Sequence, residues 1–551
     1  SQIIPIYPGS ETLKKVGLNS YAIRRIVKNA LEQFGAQIPE TLPAPLLEKY
    51  RLLPRTAAYR AIHFPDTPEQ VQQAIQRFKY EEIFYLQLLM GIFRHQHKQA
   101  NPGLQFAIQN DFLRQVMQKL PFELTGAQRR VLRDIYRDLT SGRPMNRLVQ
   151  GDVGSGKTIV AVLTMLMAFT AGYQAAMMAP TEILAQQHYL NLVELLDPFD
   201  VRVALLIGSL PARQKSEIQR QIAAGEVDLV IGTHALIQED VQFARLGLVV
   251  IDEQHRFGVL QRGNLIAKGH RPHVLVMTAT PIPRTLALTL YGDLDVSIID
   301  ELPPGRQKII TAWRTESSLP KIFRFIEERI RAGDQAYIVY PLIEESEKMD
   351  LKAAKAAFKQ FQQVFPDFRV GLLHGRMSIK EKDTVMHAFK RGEIHILVST
   401  TVIEVGVDVP NATIMLIEHA ERFGLSQLHQ LRGRIGRGHK KSYCILVTPE
   451  NINEVAQQRM RVMEETSDGF RIAEEDLRLR GSGEFLGTRQ HGLSDLKYVD
   501  LVKDVQLIQN AREDAFQLLK QDPQLRKPEH AIIRQRFFKL FADKFELAQI
   551  A

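Results

Sequence analysis

The chain has 551 residues, with 71 Lys plus Arg against 62 Asp plus Glu, a formal net charge of +9. At about 150 residues per domain this length predicts several domains rather than one, and 45% apolar with 24% charged residues exclude wholesale disorder. A single cysteine, Cys444, excludes an internal disulfide and a cysteine zinc cluster and points to a reducing compartment, so the expected location is the cytoplasm.

No N-terminal run combines the basic start, apolar stretch and small-residue cleavage site of a secretory signal. The first 115 residues read as a helical linker region. Ser20 is placed to cap a helix whose apolar positions Ile23, Ile26, Val27, Ala30, Leu31 and Phe34 repeat at helical spacing, with Gly35 as the stop. A second helix opens at Thr67-Pro68-Glu69-Gln70, a capping box with Pro at the first helical position. Both apolar stripes predict core packing. The charge excess is spread over residues 1–115 and 116–455, and residues 456–551 are neutral overall. Any nucleic-acid contact must therefore come from placed residues rather than a polybasic arm.

From about residue 116, short apolar runs alternate with helical stretches. Expected strands are 147–150, 175–179, 203–207, 228–232, 248–252 and 274–278, and then 309–313, 336–341, 370–374, 394–399, 413–417 and 442–447. Two successive blocks of this kind predict an α/β fold with two tandem doubly wound parallel sheets, residues 116–304 and 305–455, joined near Pro303-Pro304-Gly305. Residues 158–181 carry no charge, but Gly172-Tyr173-Gln174 divides them into a buried helix and a buried strand, so a membrane span is not expected. Within the last segment, 456–551, residues 500–551 read as a helical tail, with Phe537, Phe538, Leu540, Phe541 and Phe545 docking on the blocks before it. Ligands of doubly wound sheets bind beyond the carboxyl ends of the strands. The cleft between the blocks is where chemistry is expected.

Gly151-Asp152-Val153-Gly154-Ser155-Gly156-Lys157-Thr158 fits the phosphate-loop spacing, follows an expected strand and opens a helix. Its glycines let backbone N–H groups face phosphate oxygens, Lys157 neutralises the β and γ phosphates, and the Thr158 hydroxyl ligates Mg2+. Downstream, the apolar strand Leu248-Val249-Val250-Ile251 ends in Asp252-Glu253, two adjacent carboxylates that a cation would balance. Asp252 is assigned to the metal shell and Glu253 to the attacking water. In the second block, Gln430-Leu431-Arg432-Gly433-Arg434-Ile435-Gly436-Arg437 clusters three arginines. Arg434 and Arg437 are expected to reach the same triphosphate as Lys157 when the two blocks close.

Taken together, these segments resemble the superfamily 2 helicases, and more narrowly the RecG family of branch-migration DNA helicases, over nearly the whole chain from about residue 120. The resemblance implies RecA-like motor domains driven by ATP with Mg2+. Phe122-Glu123-Leu124-Thr125-Gly126-Ala127-Gln128 is similar to the family's adenine-reading motif, with Phe122 and Gln128 at the base. Ala179-Pro180-Thr181-Glu182, Gly232-Thr233-His234, Thr278-Ala279-Thr280-Pro281 and residues 400–408 follow in family order. By that resemblance Pro180, Thr181, Thr233, His234, Thr400 and Thr401 touch the nucleic-acid backbone, Asp408 joins the ATP site, and His255, Thr278 and Thr280 couple hydrolysis to domain movement. Small hydroxyl residues suit phosphates and are blind to base identity, although a single such Thr is more often a helix cap. Residues 476–490 resemble the translocation motif shared with the transcription-repair coupling factor, and Glu484, Arg489 and Gln490 are the expected levers.

The resemblance implies a monomeric, nucleoid-associated motor on branched double-stranded DNA, such as stalled replication forks and Holliday junctions, in repair and recombination, with no membrane partner. Family members carry an oligonucleotide-binding wedge domain ahead of the helical linker. No five-strand barrel pattern precedes Pro5-Ile6-Tyr7-Pro8, so ATP hydrolysis is expected to persist while splitting of branched DNA is impaired. The alternatives are another double-stranded DNA motor, chiefly the transcription-repair coupling factor, and a nucleotide-dependent DNA-binding switch.

Overall fold

Strands that are apolar on both faces are buried only within parallel sheets covered on each side by helices, and the middle of this chain forms two such sheets. The computed structural model describes residues 3–7, 18–99, 103–252, 265–279, 281, 283, 294–303, 308–341, 347–375, 377–399, 409–436, 438, 440–480, 496–500 and 503–548. The first sheet contains β1 (Asn146–Gly151), β2 (Gln174–Met178), β3 (Val203–Leu206), β4 (Leu229–Gly232), β5 (Leu246–Ile251), β6 (His273–Thr278) and β7 (Asp295–Ile299), in the order β3-β4-β2-β5-β6-β1-β7. The second contains β8 (Ile310–Thr315), β9 (Gln335–Val339), β10 (Val370–Leu373), β11 (Ile396–Ser399), β12 (Ala412–Ile417) and β13 (Tyr443–Thr448), in the order β10-β11-β9-β12-β13-β8. The ladders are parallel in both, as β1 with β6 and β12 with β9. This is the tandem RecA-like α/β architecture.

All twelve expected strands are present within one or two residues. A thirteenth, β7, is an edge strand beside β1, with a mixed Asp-Val-Ser-Ile-Ile pattern that only partly buries it. A search for continuous apolar runs passes over such an edge. The helix Lys157–Thr170 is wrapped on all sides, with Val160, Ala161, Leu163, Met165, Leu166 and Ala168 in the core of the first sheet. That accounts for the absence of charge after Lys157, and among the described residues no helix is long and apolar enough to cross a membrane.

By its contacts the chain forms two compact units, one of residues 101–283 and 294–479 and the other of residues 1–100, 284–293 and 480–551. The first holds both sheets. In the second, the helices Pro68–Gln99 and Val505–Gln521 pack so closely that a Cβ on Gly91 would meet Leu519 at 2.5 Å. Buried Asp514 accepts from Lys49 at 2.6 Å and from the Tyr50 and Tyr80 hydroxyls at 2.7 Å each. Arg77, fully buried, is paired to Glu40 and Glu81.

Three expectations change here. The cap of the first helix is Asn19 rather than Ser20, its side chain accepting from Ala22 N–H, and none of the stripe from Ile23 to Phe34 is buried. At the second helix Thr67 accepts from Gln70 N–H, but the Gln70 amide reaches back to Asp66 instead of closing the box on Thr67. The tail helix Ala531–Ala548 falls in the same compact unit as the N-terminal helices. Its Arg536 sits 3.3 Å from Glu81, and Phe537 is buried while Phe538 and Leu540 are exposed.

Candidate active site

The phosphate loop leaves the carboxyl end of β1 and enters the helix Lys157–Thr170 through Gly154 and Gly156, at φ 79° and 80°. That left-handed backbone is open to glycine at little cost, and a Cβ on Gly156 would also strike the Gln128 amide. Gln128 is buried and works at both ends. Its Nε2 donates to Ser155 O at 2.9 Å, and its Oε1 accepts from Thr125 N–H at 2.9 Å, closing the capping box of the helix Gly126–Thr140. Phe122, just ahead, is exposed. Lys157 is buried and donates to the carbonyls of Gly151 at 2.7 Å and Asp152 at 2.8 Å. Thr158 follows it, half-buried, and the Ser155 hydroxyl is buried without a hydrogen-bond partner among the described residues.

The other first-sheet residues sit on the same carboxyl edge. Asp252 follows β5, and its Oδ2 lies 3.1 Å from His188 Nε2. His188 belongs to the helix Glu182–Leu196, whose N-cap is Thr181, its hydroxyl accepting from Leu184 N–H. One short helix therefore joins the segment after β2, with Pro180 and Thr181, to the acid after β5. Thr233 is buried and His234 exposed after β4, and Thr278 ends β6 in register with Gln150.

The second lobe meets the phosphate loop at Asp152 and Val153. The helix Leu425–Arg432 carries His429, whose Nε2 is 2.5 Å from Asp152 Oδ1. The buried Arg432 guanidinium donates to His429 Nδ1 at 3.0 Å, so Nδ1 accepts and Nε2 bears the proton given to Asp152. Arg432 also bonds the carbonyls of Met463 and Thr466 and the Thr311 hydroxyl. Gly469, first residue of the helix Gly469–Arg480, donates its N–H to Asp152 Oδ2 at 3.2 Å. A Cβ at Gly469 would lie 2.6 Å from His429 Nε2, 2.7 Å from Pro281 Cγ and 2.9 Å from Asp152 Cγ. One at Gly433 would lie 2.9 Å from Val153 Cβ. Asp152 is mostly buried, which alone would raise its pKa. The His429 hydrogen bond, the Val153 N–H and the Lys157 charge outweigh that and hold its carboxyl below the usual range.

Gln430 and Arg434 are half-buried beside these contacts. Glu253, His255, Thr280, Thr400, Thr401, Asp408, Arg437, Glu484, Arg489 and Gln490 lie outside the described residues. His188, His429 and Gly469 were not singled out by the sequence. His429 adjoins the basic segment and Gly469 sits in a Ser-Asp-Gly turn, whereas His188 stands seven positions after Thr181, two turns along one face.

The model described as DEAD/DEAH box helicase matches residues 125–289, the helicase conserved C-terminal domain matches 318–439, and the C-terminal part of ATP-dependent DNA helicase RecG domain 3 matches 466–551. The ATP-dependent DNA helicase RecG of Synechocystis sp. is 51% identical, over 98% of this chain and 64% of that protein. That of Bacillus subtilis is 48% identical over 94% of this chain and 76% of that protein, and that of Streptococcus pneumoniae is 50% identical over 93% and 77%. A structure of RecG bound to a three-way DNA junction superimposes with a TM-score of 0.74 at 45% identity, covering 92% of this chain and 66% of that one. The chain thus spans about two thirds to three quarters of the length of these relatives.

Proposed function

Because the chain belongs to the RecG family of ATP-dependent DNA helicases, we propose that it is an ATP-driven motor on double-stranded DNA that acts at branched structures such as stalled forks and Holliday junctions. The observation that carries this reading is the phosphate loop of the first lobe held directly by the second, through Asp152, His429 and Gly469. A binding switch needs a nucleotide pocket; a motor needs that pocket tied to a second moving body.

In this reading Phe122 and Gln128 flank the adenine, the N–H groups from Gly151 to Gly156 receive phosphate oxygens, and Lys157 moves from its loop carbonyls to the β and γ phosphates. The Thr158 hydroxyl, after β1, and the Asp252 carboxylate, after β5, are hard oxygen donors on the same carboxyl edge of the sheet, with β6 between their strands, which suits Mg2+. When bound, Mg2+ would neutralise phosphate charge. Asp252 is held by His188, Glu253 orients the water, and Arg434, Arg437, Gln430 and Asp408 complete the site from the second lobe. Pro180, Thr181, Thr233, His234, Thr400 and Thr401 grip the DNA backbone. His255, Thr278 and Thr280 couple hydrolysis to movement, and Glu484, Arg489 and Gln490 convert it into translocation. The motor works as a monomer in the cytoplasm, on nucleoid DNA.

ATPase assays with linear and three-way-branched duplexes test the reading. Turnover stimulated by branched DNA, and lost with Lys157→Ala, supports it. Turnover indifferent to DNA would leave a switch, and turnover indifferent to Lys157 would remove the site assignment.

A further inference from the structure

All strands of the first sheet precede all strands of the second, so the chain passes from one lobe to the other once, between Ile299 and Ile310. The first side chains of that connector turn back onto the helix Gly126–Thr140. Glu301 Oε2 accepts from Ala127 N–H at 3.1 Å, and Arg130 reaches Asp300 Oδ1 at 2.5 Å and Glu301 Oε1 at 3.5 Å. The helix has no acidic residue of its own in its first turn, where unpaired N–H groups and the positive end of the helix dipole favour an anionic acceptor. Glu301 supplies one from 174 positions away. Gly126 leaves it room, since a Cβ there would stand 3.2 and 3.3 Å from the two Glu301 carboxylate oxygens. Next to Ala127 is Gln128, whose amide accepts from Thr125 N–H and donates to the Ser155 carbonyl. The connector thus meets the phosphate loop through one helical turn and one side chain.

We infer that Glu301 is a positioning residue for adenine recognition: from the connector it fixes the turn that presents Gln128, so that base selectivity depends on a residue outside the pocket. The inference rests on the reading of Gln128 as the adenine contact. A primary amide has two donor hydrogens and two acceptor lone pairs, so after its bonds to Ser155 and Thr125 the Gln128 amide keeps one of each. Adenine offers an amino donor beside a ring-nitrogen acceptor, whereas guanine has a carbonyl in place of the amino group. The aim of that amide therefore separates the two bases. Glu301 and Arg130 are both half-exposed, so their ion pair contributes little. The bond to Ala127 N–H is directional and charge-assisted, and it holds the first turn of the helix on which Gln128 sits.

Competition of ADP and of GDP against fluorescent mant-ADP, on the full chain with Mg2+, gives the ratio of their affinities. A residue that only stabilises the fold would leave that ratio alone. Glu301→Ala is expected to reduce the preference for ADP about fivefold, chiefly through weaker ADP binding. Glu301→Gln keeps an oxygen for Ala127 N–H and is expected to recover most of the preference. Arg130→Ala, which removes the ion pairs and leaves that bond, is expected to stay within about twofold of the parent chain. A Glu301→Ala variant with a lower thermal midpoint and an unchanged ratio would make Glu301 a helix cap only and overturn the inference. Gln128→Ala separates the two levels: if it keeps the parent preference, or the parent has none, the adenine reading of Gln128 fails. If it loses the preference while Glu301→Ala keeps it, the positioning role of Glu301 alone fails.

Discussion

Asp152 and Asp514 are two buried carboxylates, each reached across hundreds of positions, and they are satisfied in opposite ways. Asp514 takes an ammonium and two phenol hydroxyls from Lys49, Tyr50 and Tyr80, pinning the C-terminal helix Val505–Gln521 to the N-terminal helices. Asp152 takes only neutral donors from the second lobe, an imidazole and a peptide N–H, and shares its backbone with the lysine of the phosphate loop. A full charge pair with extra hydrogen bonds suits a joint that stays closed. An imidazole and a peptide N–H hold their carboxylate more weakly than such a pair does.

Variants at the two sites should therefore fail differently. The largest effect falls on the loop. Lys157→Ala should lower DNA-stimulated turnover by on the order of 10³ and leave the thermal midpoint nearly unchanged; a collapse of the midpoint would make Lys157 a structural residue. Asp514→Ala should do the reverse, destabilising the terminal unit by about 3 kcal/mol in chemical denaturation while basal ATPase persists. The figure is set by the buried Tyr80 hydroxyl left unpaired, since Lys49 is half-exposed and can turn to water.

A third contrast is in pH. His273, buried at the start of β6, accepts from Met145 N–H and donates to Leu104 O. Burial pulls its pKa down to about 4, only partly countered by the Leu104 carbonyl. Its folded value lies below its unfolded value, so the unfolded chain binds more protons between about pH 6.5 and 4, and stability conferred above that window is lost as pH falls through it. The first lobe should lose about 2 kcal/mol between pH 6 and 4, and His273→Asn should flatten that slope. The smallest effect is at His188. His188→Leu removes the partner of Asp252, and kcat should fall about tenfold with little change in KM for ATP; a rise in KM alone would place His188 in binding instead.

How much of this was legible in the chain follows the range of the interactions. Strand positions follow from local apolar runs, so only the partly exposed β7 escaped. The glycine and lysine spacing of the phosphate loop is local too. The helix Ser20–Phe34 shows the limit of periodicity, because its stripe is regular yet Ile23, Val27 and Leu31 are only half-buried and Ile26 and Phe34 are exposed. The Asp152 contacts join residues 277 and 317 positions apart. Neither His429 nor Gly469 has a spacing that announces a role, and only the packing of the second lobe on the first gives them one. The fate of the tail helix likewise depended on Glu81 and Arg536, whose pairing no local pattern encodes. Cys444 is the opposite case: an apolar strand predicts an inert thiol, and complete burial does push it up to about 12.

Gln128 closes the cap of one helix with its oxygen and holds the Ser155 carbonyl with its nitrogen. Fraying at the start of the helix Gly126–Thr140 and loosening of the phosphate loop are thereby a single cooperative opening, and amide exchange at both places should report one shared rate.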